Sequence, residues 1–173
     1  MFLLDHVAPE NAQGNVAEAY GIFPPGFPVP APLVMMSASP DLCALQSNAI
    51  RYFMTHERID HGFFAILRFV LAHEYDYPFC RDLNAGLLKH AAGLTDAELA
   101  SFAKNPESAP LEEEQKALLL FVLKTLRDPK SVNKRDIDAL HAHGFTDQDI
   151  FDAAYHGANF VAASTLWKAF SKE

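Results

Sequence analysis

The stretch from Phe63 to Gly93 constrains the fold of this chain more than any other. Phe63, Phe64, Ile66, Leu67, Phe69, Val70 and Leu71 are apolar nearly all round a helical wheel, so the spacing predicts a helix buried on most of its sides, with Asp60 as its cap. Tyr77-Pro78 breaks the chain, because a proline cannot continue a helix but suits the first turn of a new one. Leu83, Leu87 and Leu88 then mark the inner face of a second helix, which Gly93 ends. Two consecutive helices, one of them wrapped in protein, require further helices to cover them.

The rest of the chain supplies those helices. Ser39-Pro40-Asp41 reads as a helix start, with Ser39 as the capping hydroxyl and Leu42, Leu45, Ala49, Tyr52 and Phe53 following at helical spacing. Gly93-Leu94-Thr95-Asp96-Ala97-Glu98-Leu99 matches Gly144-Phe145-Thr146-Asp147-Gln148-Asp149-Ile150 position by position. In each, glycine closes one helix, threonine caps the next, and an acid at the third helical position reaches back. A diverged repeat and simple convergence of good helix turns both account for the match. Between these junctions the pattern predicts one helix around Leu111–Arg127 and another from about Lys134 to His143, capped by Ser131 or Asn133. The last helix, from Asp147 to about Phe170, is rich in small residues (Ala153, Ala154, Gly157, Ala158, Ala162, Ala163 and Ser164), which allow close helix approach. No strand-length alternation survives, so the expected class is all-α: one domain over residues 1–173, a bundle of about seven or eight helices. Residues 1–38 form an irregular arm, with one or two helical turns at Val16–Tyr20. Five prolines in the nine residues from Pro24 to Pro32 predict extended backbone there.

Composition narrows function by exclusion. A net charge of −8 with no basic stripe argues against nucleic acid or an anionic membrane as partner. Two cysteines, Cys43 and Cys80, make no disulfide framework and suit a reducing, cytoplasmic setting. The apolar run Met1-Phe2-Leu3-Leu4 is too short for a signal peptide, and no later run is long enough to span a membrane. No zinc pattern, phosphate loop or dinucleotide fingerprint occurs, so no metal or cofactor is expected. His141 and His143 splay on a helix, His56 and His61 straddle a turn, and His156 lies among small residues, facing a subunit seam, the pocket, or ordinary core or surface.

One group of residues invites chemistry. Cys80 sits at the opening of the helix after Pro78, among unpaired N–H groups and the positive end of the helix dipole, and next to Arg81; these favour thiolate. Asp76, Asp82 and Glu74 oppose it, and free cysteine is often plain core. His73 and Tyr77 are four apart and face the same way: His73 as general base or as a cap on its own helix end, Tyr77 as a group orienting a substrate oxygen. Glu74 matters only if buried beside His73. Cys43 reads as core, or as a resolving thiol if the fold brings it to Cys80.

The order Gly14-Asn15-Val16-Ala17-Glu18-Ala19-Tyr20, a proline-rich stretch, Ser39-Pro40-Asp41-Leu42, Ala72-His73-Glu74, Tyr77-Pro78-Phe79-Cys80, Gly93-Leu94-Thr95-Asp96 and Gly144-Phe145-Thr146-Asp147 before a helix carrying Asn159 resembles the carboxymuconolactone decarboxylase-like, alkylhydroperoxidase D-like superfamily, in its peroxidase-related branch. The resemblance implies that branch's all-α fold, a homo-oligomer and a site at the helix corner; the residues gathered there give Cys80, His73, Glu74 and Tyr77 as the expected catalytic residues, with Phe79 and Asn84 lining the substrate pocket. It also implies a Cys-x-x-Cys pair, a histidine four residues later and an upstream glutamate. Only the second cysteine is present: Tyr77, Asn84 and Ala65 hold the other positions. Three activities follow as expectations. The first is an antioxidant peroxidase, an oxidoreductase using the single thiol Cys80. The second is a lyase or isomerase acting on a small organic acid through His73 and Glu74, more attractive if Arg51, Arg58, Arg68 or Arg81 lines the pocket. The third is a non-catalytic oligomer that binds a small molecule.

Overall fold

The computed structural model describes residues 2–24 and 26–172. Met1, at the head of the N-terminal apolar run, Pro25, within the proline run, and Glu173 lie outside the described residues. The chain divides into two compact units, residues 1–56 with 165–173, and residues 57–164. Among the described residues the regular structure is helical: nine α-helices, three 3-10 turns and a single isolated bridge between Phe2 and Ser171. Among the described residues no helix is long and apolar enough to cross a membrane.

The first unit holds α1 (Gly14–Tyr20), α2 (Ala31–Met36) and α3 (Pro40–Met54), with the end of α9 (Asp147–Phe170) from Thr165 onward. Its core gathers Val16, Ala19, Tyr20, Leu33 and Cys43, with Val7, Phe23, Val29 and Ile50 packed on them. The Tyr20 hydroxyl donates to the Val7 carbonyl at 2.8 Å, which ties the irregular arm down. Three sequence expectations change here. The proline run does not stay extended to its end, because Pro32 stands in the first turn of α2, where a missing N–H costs nothing. Counting this short helix brings the total to nine. Ser39 holds the N-cap position of α3 without a side-chain capping bond. The inner face of α3 is formed by Cys43, Ser47 and Phe53, while Leu42 and Leu45 are 55% and 65% exposed. An apolar periodicity names a face but not what covers it.

The second unit is built around α4 (His61–Glu74). Asp60 caps it, accepting from the Phe63 N–H at 2.8 Å, and nine of its fourteen residues are buried. Packed against it are α5 (Pro78–Ala92), α6 (Asp96–Lys104) and α7 (Glu113–Arg127), followed by α8 (Lys134–Ala142) and α9 up to Ser164. Asn133 caps α8 in a reciprocal capping box with Asp136.

The two matching junctions fold alike. Thr95 and Glu98 form a capping box, with the Thr95 N–H donating to Glu98 at 2.8 Å; Gly93 before them is left-handed at φ 68°. At the second junction the Thr146 N–H donates to Asp149 at 2.8 Å, after Gly144 at φ 89°. The difference is burial. Asp149 is 1% exposed and also accepts from Arg58 Nε at 2.8 Å. Burial pushes its carboxyl up, but Thr146 and Arg58 outweigh that and hold it below the usual aspartate range. The small residues of α9 serve the expected purpose: a Cβ on Gly157 would stand 2.7 Å from a Val122 methyl, so α9 and α7 approach as closely as they do because position 157 has none.

Candidate functional site

The corner between α4 and α5 is set by backbone before any side chain acts. Asp76 takes φ 44°, a left-handed conformation that aspartate tolerates better than most residues. The turn lets the Tyr77 N–H donate to the Ala72 carbonyl at 2.8 Å and sends the Tyr77 side chain fully inside, its ring 5.6 Å from Phe160. Pro78 then starts α5, so Cys80 is its third residue.

Tyr77, Cys80 and Asn84 come together with two residues from other helices, Arg68 of α4 and His156 of α9. The Tyr77 hydroxyl faces the Cys80 thiol. Arg68 Nε donates to Asn84 Oδ1 at 2.9 Å, and Asn84 Nδ2 donates to the Cys80 carbonyl at 2.7 Å. Arg68 Nη1 lies 3.4 Å from His156 Nε2. Arginine only donates, so that nitrogen accepts and the neutral imidazole carries its proton on Nδ1. The Phe64 ring covers His156 at 4.7 Å. Cys80, Phe79, Arg68 and His156 are half-buried and Tyr77 and Asn84 are buried, so the cluster is only partly covered by protein.

The electrostatics follow from that enclosure. Burial draws Arg68 down to about 10, against a small rise from Cys80, so the guanidinium stays charged at neutral pH. Among the described residues no carboxylate pairs with it. Burial pushes the Cys80 thiol up to about 11, while Tyr77 and Arg68 pull the other way. Burial also pushes the Tyr77 phenol up. His156 falls well below the ordinary histidine value through burial first, then Arg68 and His61. His61 is lowered by burial and Arg68, against the opposing pull of Asp60.

His73 and Glu74 are placed elsewhere in the same unit. They line a cavity of about 350 Å³ with Val70, Ala103, Lys104, Pro106 and Arg127. Glu74 is held by a two-bond pair, accepting from Arg127 Nε at 2.8 Å and Nη2 at 2.7 Å. His73 rests on the Phe69 ring at 4.7 Å, and burial, then Arg81, lower its pKa against Asp82. Cys43 is fully buried in the first unit, its thiol 3.7 Å from the Leu33 carbonyl, with burial raising its pKa. Among the described residues no group of three or more His, Cys, Asp or Glu side chains is arranged to hold a metal.

Sequence reasoning passed over Arg68 as one of four arginines and left His156 open. The signal for Arg68 was present: one charge stands inside a run of nine buried apolar residues on α4.

No protein-family model matches the chain, and no curated protein matches it in sequence. Solved structures do. One, the alkylhydroperoxidase AhpD core of an uncharacterized peroxidase-related protein from Ralstonia eutropha JMP134, superposes with a TM-score of 0.81 at 20% identity, over 98% of this chain and 90% of its own. Another, an uncharacterized peroxidase-related protein from Silicibacter sp. TM1040, gives 0.71 at 22% identity, over 82% of this chain and 74% of its own. The chain thus has the all-α alkylhydroperoxidase D-like fold that its motif order resembles.

Proposed function

We propose that this protein reduces peroxides through the single thiol of Cys80. One observation carries the reading: a half-buried thiol in the first turn of α5 shares a cluster with the Tyr77 hydroxyl and with the Arg68 guanidinium, whose charge reaches it; both favour its thiolate and the alkoxide that leaves the peroxide. The thiolate sulfur attacks the terminal oxygen of a hydroperoxide. The S–O bond forms as the O–O bond breaks, and the alkoxide leaves with the proton that the thiol gave up. The cysteine becomes a sulfenic acid and the peroxide an alcohol or water. A small external thiol then condenses with the sulfenic acid, releasing water, and a second such thiol attacks the mixed disulfide, returning the Cys80 thiol while the reductant leaves as its own disulfide. An external reductant is needed because Tyr77 stands where the resemblance expects the partner cysteine. With its pKa near 11, the thiol is ionised to about one part in ten thousand at pH 7, which makes the reaction slow until a substrate or a base in the cluster shifts that balance.

The test is mass spectrometry of native protein treated with an alkyl hydroperoxide and then with a small thiol. Reversible oxidation at Cys80 is expected. A Cys80 inert to both peroxide and alkylating agents ends the reading. The expected homo-oligomer belongs to the same proposal: Leu42 and Leu45 on α3 offer an apolar surface for it, and sedimentation checks the state.

A further inference from the structure

We propose that Arg68 anchors a small organic carboxylate, and that this anion governs the reactivity of Cys80.

The argument starts from an unbalanced charge. A guanidinium enclosed by protein is costly unless an anion answers it. Every other arginine whose ion pair is described here meets a carboxylate: Arg58 meets Asp149, Arg81 meets Asp82 and Arg127 meets Glu74. Arg68 meets neutral partners only, Asn84 Oδ1 through Nε and His156 Nε2 through Nη1. Its Nη2 end carries no hydrogen bond among the described residues. An N–H of that end can donate, in the plane of the guanidinium, to one oxygen of a carboxylate. The partners also fix the plane of the fork, because Asn84 is itself pinned to the Cys80 carbonyl.

The surroundings select the class of anion. His156 and His61 are both shifted toward the neutral form, so the cluster offers one full positive charge. One charge suits a monoanion; a phosphate dianion would leave a charge unanswered. The Phe64 ring lies against His156, the imidazole that Arg68 meets, so the guanidinium has aromatic as well as polar neighbours, which favours a carboxylate carrying an apolar body.

The coupling follows from sharing. The Cys80 thiolate and a bound carboxylate draw on the same guanidinium. A carboxylate at Arg68 therefore disfavours the thiolate, and ionisation of the thiol weakens the carboxylate in return. The anion site stands on Arg68 by itself; only its effect on the thiol rests on the peroxide-reducing reading.

Two measurements separate the parts. Calorimetric titration of the Cys80→Ser chain with benzoate tests the anion site without the thiol. Saturable binding is expected, absent in Arg68→Met. Alkylation of native Cys80 by neutral iodoacetamide at pH 8.5 tests the coupling. Benzoate is expected to slow it about fivefold or more, and acetate less at equal concentration. No benzoate binding by either wild type or Cys80→Ser overturns the site, and neither titration needs a folded Arg68 variant. Inorganic phosphate binding as well as benzoate overturns the assigned class. Binding with unchanged alkylation overturns the control of the thiol. A Cys80 that never alkylates ends the peroxide reading, while the titration still decides the anion site.

Discussion

Two clusters of the second unit, each with an arginine near its centre, differ in one respect. At one wall of the 350 Å³ cavity, Arg127 is met by Glu74 through two hydrogen bonds. In the other cluster, Arg68 is enclosed and meets only an amide oxygen and a neutral imidazole. The first arrangement is closed electrostatically: both carboxylate oxygens are taken by the Nε/Nη2 edge of one guanidinium, so Glu74 is poorly placed to take a proton from a substrate. The second is open. An uncompensated cation beside a thiol is poised to act on whatever anion forms or arrives there. The comparison teaches that the density of titratable residues, highest around His73 and Glu74, is a weaker guide to a reactive site than a charge whose partner is missing.

The comparison breaks most directly on substitution of the reacting atom. Cys80→Ser is expected to remove peroxide-dependent consumption of a small thiol by about a hundredfold or more, while Glu74→Gln stays within about twofold, both followed by peroxide loss. Equal losses would reverse the assignment. Next in size, Arg68→Met is expected to raise the Cys80 pKa further and to slow its alkylation at pH 8.5 about tenfold, roughly one pKa unit. The same substitution is expected to leave thermal stability equal or higher, since it removes an enclosed charge with no counter-ion. The pH dependence sharpens the point. Because burial sets the Cys80 pKa near 11, the alkylation rate is expected to climb about tenfold per pH unit through 8, 9 and 10 before levelling, as stopped-time labelling would show. A plateau near pH 7 would mean that the cluster's cation dominates burial. The smallest effect belongs to the closed pair: Arg127 is 52% exposed, so Arg127→Ala is expected to cost about 1 kcal/mol or less in urea unfolding.

How much of this was legible in the sequence depends on how far each feature reaches along the chain. Caps are local, so Asp60 and Thr95 announced their helices, and of Ser131 and Asn133, both candidates for α8, Asn133 is the cap. The burial of α4 was legible because its own composition dictates it. Leu42 and Leu45 marked α3 correctly by their spacing, but spacing cannot say which apolar face a neighbour covers, and both are exposed. Arg68 was the hardest to read. The apolar run of α4 signals its enclosure, but its meaning comes from Asn84, 16 residues away, and His156, 88 away, which no local pattern names. Tyr77 was read as a replacement for a missing thiol; that its hydroxyl faces Cys80 depends on the turn at Asp76.

That turn has a consequence of its own. A single residue in the left-handed region aims a phenol at a sulfur, so position 76 works as a sight adjuster some distance outside the chemistry. Glycine there would loosen the aim without removing any group that touches a reactant. A β-branched residue, which resists that backbone geometry, would swing the ring away and leave a chemically complete cluster pointing in the wrong direction.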